Sequence, residues 1–161
     1  MRRYVIFVVC VAVAGLLILS LAFAVDHHEK DELLKIFDTG VKAINAKDMA
    51  TFASLHVQDE TAVHINVMEG GVYKGWAAGK KNFEDFMASG ATLTNMQNVS
   101  LKVVGNAAWG VWTAVSEVTM DGKKMANPFR LTLVFERIGD KWLVSHSHSS
   151  AGLPPPPPAK K

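Results

Sequence analysis

The chain has a single cysteine, Cys10, and it falls within the first 24 residues. The rest of the chain can hold no disulfide, so its stability has to come from an apolar core. Without a thiol there, and with no serine in a nucleophile elbow, the sequence carries no motif for nucleophilic catalysis. An excess of either charge is also missing. The whole chain has 17 basic and 15 acidic residues, and without Arg2 and Arg3 the balance is 15 against 15. That balance offers no electrostatic footprint for nucleic acid, and none is expected as a partner.

What is present begins with a leader. Met1-Arg2-Arg3 precedes an uncharged stretch from Tyr4 to Val25 that contains Ala22-Phe23-Ala24. A basic start, an apolar run and a small-x-small site predict a signal peptide over 1–24, cleaved after Ala24. The apolar run approaches the ~20 residues that span a bilayer. The alternative is an uncleaved anchor, which is also the only membrane association expected. In either case the folded part is expected outside the cytoplasm, periplasmic or secreted. About 125 residues then remain, enough for one domain.

Leu33, Leu34, Phe37, Val41 and Ile44 recur at helical spacing and predict an amphipathic helix from Glu29 to Ala46. Asp48 is placed to cap a second short helix through Met49, Phe52 and Leu55. Thr61–Val67 reads as a strand, Met68-Glu69-Gly70-Gly71 as a turn, and Tyr73-Lys74-Gly75-Trp76 as the approach to a third helix near Ala77–Ala88. Four long strands follow: Leu93–Val104, Ala107–Met120, Lys124–Arg137 and Lys141–Ser149. Asp121-Gly122 is a hairpin signal, and the short turns require an antiparallel meander. Helices followed by hairpin-linked strands give an α+β domain over 25–152. Pro154–Pro158 excludes helix or inner strand and predicts a polyproline rod in the tail, 153–161.

Three local patterns carry a resemblance. Asn45-Ala46-Lys47-Asp48, Gly71-Val72-Tyr73-Lys74-Gly75-Trp76, and Trp142-Leu143-Val144-Ser145-His146-Ser147-His148-Ser149-Ser150 resemble junctions and the final strand of SnoaL-like, nuclear transport factor 2-like domains. The association domain of calmodulin-dependent kinase II shares that final-strand pattern. The resemblance covers about Asp31 to Ser150. It implies a cystatin-like cone: three N-terminal helices on a curved, mostly antiparallel sheet, with an interior pocket and a homodimer packed through the sheet. It implies no single activity. Ketosteroid isomerases in this group need an Asp base on the first strand and a Tyr donor on the first helix. Here Ile65 and Gly40 fall at those positions, and neither can do that chemistry.

By period-two alternation Trp142, Val144, His146, His148 and Ser150 share one face of the last strand, read as the cavity side. The two imidazoles could then hydrogen-bond a ligand or move a proton near pH 7. Arg130 interrupts the apolar stretch Phe129–Phe135. If it points inward it suits an anionic ligand; otherwise it pairs with Glu117 or Glu136. Tyr73 and Trp112 could line the pocket or serve as core. His64 lies on the first strand, where the resemblance places a pocket residue. His146 and His148 are a partial metal-ligand pair without an evident third member, so no metal and no other cofactor is expected. The leading expectation is an exported small-ligand-binding domain for a polar or anionic molecule, with Arg130, His146, His148, Tyr73, Trp112 and His64 in contact. The alternatives are an enzyme of the polyketide cyclase, dehydratase or isomerase type with His146 or His148 as base, and a homodimeric assembly module.

Overall fold

The computed structural model describes residues 27–66, 71–120 and 122–151. The expected leader, most of the turn before Gly71, and the proline-rich tail lie outside the described residues.

Helix α1 spans residues 27–46 and buries Leu33 and Phe37, which the helical periodicity marked as core. Lys47 takes a left-handed backbone (φ 59°), and α2 (Met49–Ser54) follows. Asp48 caps α2 as expected, accepting hydrogen bonds from Thr51 N at 2.9 Å and Thr51 Oγ1 at 2.6 Å. Asn45 does a different job: its side-chain amide accepts from Leu93 N at 2.8 Å and donates to Leu93 O at 2.9 Å. The end of α1 is thereby fastened to the start of a distant strand. Helix α3 spans Trp76–Ala88.

The strands are β1 (Val63–Asn66), β2 (Gly71–Lys74), β3 (Thr92–Val104), β4 (Ala107–Met120), β5 (Lys123–Ile138) and β6 (Lys141–Ala151). They form one sheet in the order β2-β1-β6-β5-β4-β3. The β3–β6 meander is antiparallel as expected, and β1 joins it parallel to β6. Gly71–Lys74, read from the sequence as the approach to α3, is instead a strand antiparallel to β1. Four residues flanked by glycines, with no apolar alternation around them, leave no strand signal of their own.

Two register shifts in β3, between Thr94 and Gln97 and between Asn98 and Ser100, break its ladder with β4. Such bulges bend and twist a strand, and here they help curl the sheet into the cone's concave wall. Against that wall Phe37 stacks on Trp112 with ring centroids 4.2 Å apart, and Leu33, Leu133, Phe135, Trp142 and Val144 complete one core cluster. A second cluster, with Phe52, Val57, Trp76 and Met87, fills the space under α2 and α3. No helix among the described residues is long and apolar enough to cross a membrane.

Candidate functional site

The final strand holds the feature that decides the site. Val134 of β5 faces His146, but the next residue, Phe135, faces Val144, so Ser145 is an extra residue in β6. It is a β-bulge, and one extra residue reverses the side-chain alternation beyond it. The Val144 N–H donates to Leu55 O (2.8 Å), and its carbonyl accepts from Val57 N (2.9 Å), so this point of β6 is bonded to the segment after α2. Trp142 and Val144 point inward as expected, each 3 % exposed. Past Ser145 it is Ser147, Ser149 and Ala151 that line the interior.

The expected face of His146 and His148 is therefore corrected. Both lie on the outer side of the sheet, His146 half-buried and His148 exposed. Arg130 is opposite Ser150 on that same outer side and is exposed, with no ion pair to Glu117 or Glu136 among the described residues. Glu117 instead accepts from Thr94 Oγ1 at 3.1 Å. Trp112 is not a lining residue: it is 1 % exposed and packed on Phe37 in the core. Tyr73 sits half-buried on β2, its ring against Gly71, and does not line the cavity. Of the six expected ligand contacts, His64 alone lines it.

The cavity has a volume of about 360 Å³ and lies between α1, α3 and the concave sheet. Its two sides differ. One is apolar, built from Ile36, Phe37, Val41 and Ile44 of α1 and from Phe129, Leu131 and Leu133 of β5. The other, where β1, β6 and α3 meet, carries His64, Ser147, Asn66, Asn82 and Ser149. His64 Nδ1 and Ser147 Oγ are 2.9 Å apart, and Asn66 Nδ2 donates to Asn82 Oδ1 at 3.1 Å. His64 is 2 % exposed, and its Nε2 is buried with no hydrogen-bond partner.

His56 also lines the cavity, and sequence reasoning missed it. Its ring stacks on Trp76 (centroids 5.3 Å apart), and its Nδ1–H donates to the Phe52 carbonyl at 2.8 Å. Burial holds both imidazoles well below their ordinary pKa. His56 is lowered to about 4 by desolvation, against the pull of the Phe52 carbonyl, and His64 to about 4 by desolvation and then by His146. Both rings are neutral at pH 7. Asp85 is the only other ionisable lining residue among the described residues, and it is half of an exposed i,i+4 ion pair with Lys81 at 3.0 Å. The cationic pocket expected for an anion is thus not what the fold builds.

Asn82 was legible in principle. Gly79, Asn82, Phe83 and Phe86 follow the i, i+3, i+4, i+7 spacing of α3's inner stripe, and an amide on such a stripe marks a polar spot in a cavity wall. His56, at the end of Phe52-Ala53-Ser54-Leu55-His56, had no comparable signal.

The profile of the SnoaL-like domain family matches residues 33–154. No curated protein matches the chain. Several solved structures have the same fold at low sequence identity. A nuclear transport factor 2-like superfamily protein from Salmonella enterica serovar Typhimurium superposes with a TM-score of 0.70 at 18% identity, covering 82% of this chain and 96% of its own. A protein with a cystatin-like fold from Caulobacter vibrioides gives 0.63 at 19% identity, covering 78% and 90%. The association domain of calmodulin-dependent kinase II from C. elegans gives 0.63 at 17% identity, covering 78% and 97%. With the cone, the interior cavity and a profile match over three quarters of its length, this chain belongs to the SnoaL-like domain family and shares the fold of nuclear transport factor 2-like proteins.

Proposed function

We propose that this protein is an exported binding protein for small, neutral, mainly apolar molecules, held in the cone's interior. The carrying observation is the cavity: about 360 Å³, one side aliphatic and aromatic, the other a short row of uncharged hydrogen-bonding groups. That size and composition are typical of small-molecule sites. No cationic side chain among the described lining residues would offset the desolvation of an anion. Binding is favoured over acid–base catalysis because the two cavity imidazoles are too weakly basic to be half-protonated near pH 7. His146 and His148 face away from the hollow. Export rests on the leader pattern of residues 1–24, and the intact mass of the exported protein decides its cleavage.

The test is titration of the purified protein with N-phenyl-1-naphthylamine, a neutral apolar fluorophore. Saturable enhancement is expected from the wild type. It should be lost in Gly40→Leu, which pushes a side chain from α1 into the cavity beside Leu55 and Phe52. Absence of saturable binding to the wild type overturns the proposal.

A second reading concerns assembly and is compatible with the first. The outer side of the sheet carries Trp109 (39 % exposed) beside Val111 and Val134, and the fold resembles a kinase association domain. These support a homodimer through that face. Light scattering showing a monomer at micromolar concentration would remove it.

A further inference from the structure

The His56 imidazole has one edge spent and one edge open. Its Nδ1 stands 2.8 Å from the Phe52 carbonyl oxygen. That oxygen can only accept, so the ring hydrogen is on Nδ1. A neutral imidazole carries a single N–H, and burial keeps this ring neutral at pH 7. Nε2 is therefore a bare acceptor, and it points away from the α2 carbonyl that fixes the tautomer.

This nitrogen can be reached. Among the described residues, the side-chain polar atoms sealed off without a partner are His64 Nε2, Arg137 Nε and Trp142 Nε1. His56 Nε2 is not one of them, although it too makes no hydrogen bond there, so it keeps accessible surface. The ring is walled by Phe52, His64, Trp76 and Phe83, with centroids 4.3, 5.7, 5.3 and 5.6 Å away, and its remaining side borders the cavity. Resting on the binding reading above, we infer that the cavity selects a neutral apolar ligand carrying a hydroxyl group, whose hydrogen is donated to His56 Nε2. Phe52 and Phe83, which border the cavity beside His56, pack the hydroxyl-bearing end, and α1 with β5 packs the hydrocarbon body. A ligand with only a hydrocarbon surface would displace water from Nε2 and return nothing.

The experiment titrates the full-length protein with 2-naphthol and with 2-methylnaphthalene, near-isosteres in which a hydroxyl stands for a methyl group. The hydroxyl loses more hydration on entering, so the ratio of the two affinities is compared between the wild type and His56→Phe, where that cost cancels. The ratio should favour 2-naphthol about five- to tenfold more in the wild type, the size of effect one hydrogen bond gives. The variant should still bind 2-methylnaphthalene. In the wild type, ¹⁵N-histidine NMR should show His56 with its hydrogen on Nδ1. Its Nε2 resonance should move upfield with 2-naphthol and much less with 2-methylnaphthalene. If the variant does not fold, the wild-type spectra decide. Equal ratios in the two proteins, an Nε2–H tautomer, or an Nε2 resonance that does not distinguish the two ligands overturns this inference and leaves the binding proposal standing. Failure of both naphthalenes to bind overturns the two together.

Discussion

A Cβ placed on Gly79 would stand 2.3 Å from Cδ2 of His64 and 3.1 Å from its Nε2. Helix α3 can close over the β1 imidazole only because that helical position has no side chain. Gly79→Ala should therefore reverse the usual helix rule. Alanine ordinarily gains up to about 1 kcal/mol over glycine inside a helix. Here overpacking a buried ring costs ~1–3 kcal/mol, and the ring has to break from Ser147 to yield. The expected net is a destabilisation of about 1–2 kcal/mol, read as a lower urea midpoint. An unchanged or raised midpoint would contradict the close packing of α3 on His64.

Gly40 offers the contrast. A Cβ there meets Leu55 Cδ1 at 3.6 Å and Phe52 Cε2 at 3.9 Å, which are ordinary contacts. Gly40→Ala should stabilise the protein by roughly 0.5–1 kcal/mol, and thermal melting would show it as a higher Tm.

Asn45→Ala removes both hydrogen bonds to the Leu93 backbone and leaves a strand N–H and C=O without their partner. A loss of about 1–3 kcal/mol is expected. Hydrogen exchange should show faster exchange at the start of β3, with little change in the β5–β6 ladder.

Stability should fall as the solution is acidified from pH 6.5 towards pH 4. In that window the unfolded chain protonates His56 and His64, whose ordinary pKa is 6.5, while the folded chain holds both neutral down to about 4. More protons on the unfolded state means stability rises with pH. The contribution is complete above about 6.5 and is lost on the way down, on the order of 3 kcal/mol per imidazole. Urea midpoints at pH 7.5 and 4.5 measure it. A flat profile would mean the rings are not desolvated, and His64→Phe should remove part of the slope.

The triple variant R130A/H146A/H148A should bind N-phenyl-1-naphthylamine as the wild type does, since all three side chains lie across the sheet from the cavity. A tenfold weaker affinity would place at least one of them in the site.

The sequence made α1, the Asp48 cap, α3 and the four-strand meander legible, because each rests on a strong local rule: helical periodicity, a capping side chain, tight turns. It did not show β2, whose four residues gain their conformation from pairing with β1. The face of β6 was lost for a specific reason. From Ser145 to Ser150 the strand is only serine and histidine, with no apolar residue to reveal which parity points inward. The bonds beside the reversal, from Val144 to Leu55 and Val57, connect segments almost 90 residues apart. His64 was found because the family resemblance places a pocket residue on the first strand, which its β-branched residues made legible. Asn82 stood on the inner stripe of α3 and could have been read from its spacing, whereas His56 reaches the cavity only through the packing of the segment after α2.

Ser145 sets the chemistry of the hollow by counting. If the strand ran without the bulge, with Ser145 itself opposite Val134, His146 and His148 would fall opposite Leu133 and Leu131, the places that Ser147 and Ser149 hold now. A hydroxyl-lined interior would become an imidazole-lined one with no change of sequence at all. The character of the hollow is therefore a choice of pairing and not of side chains.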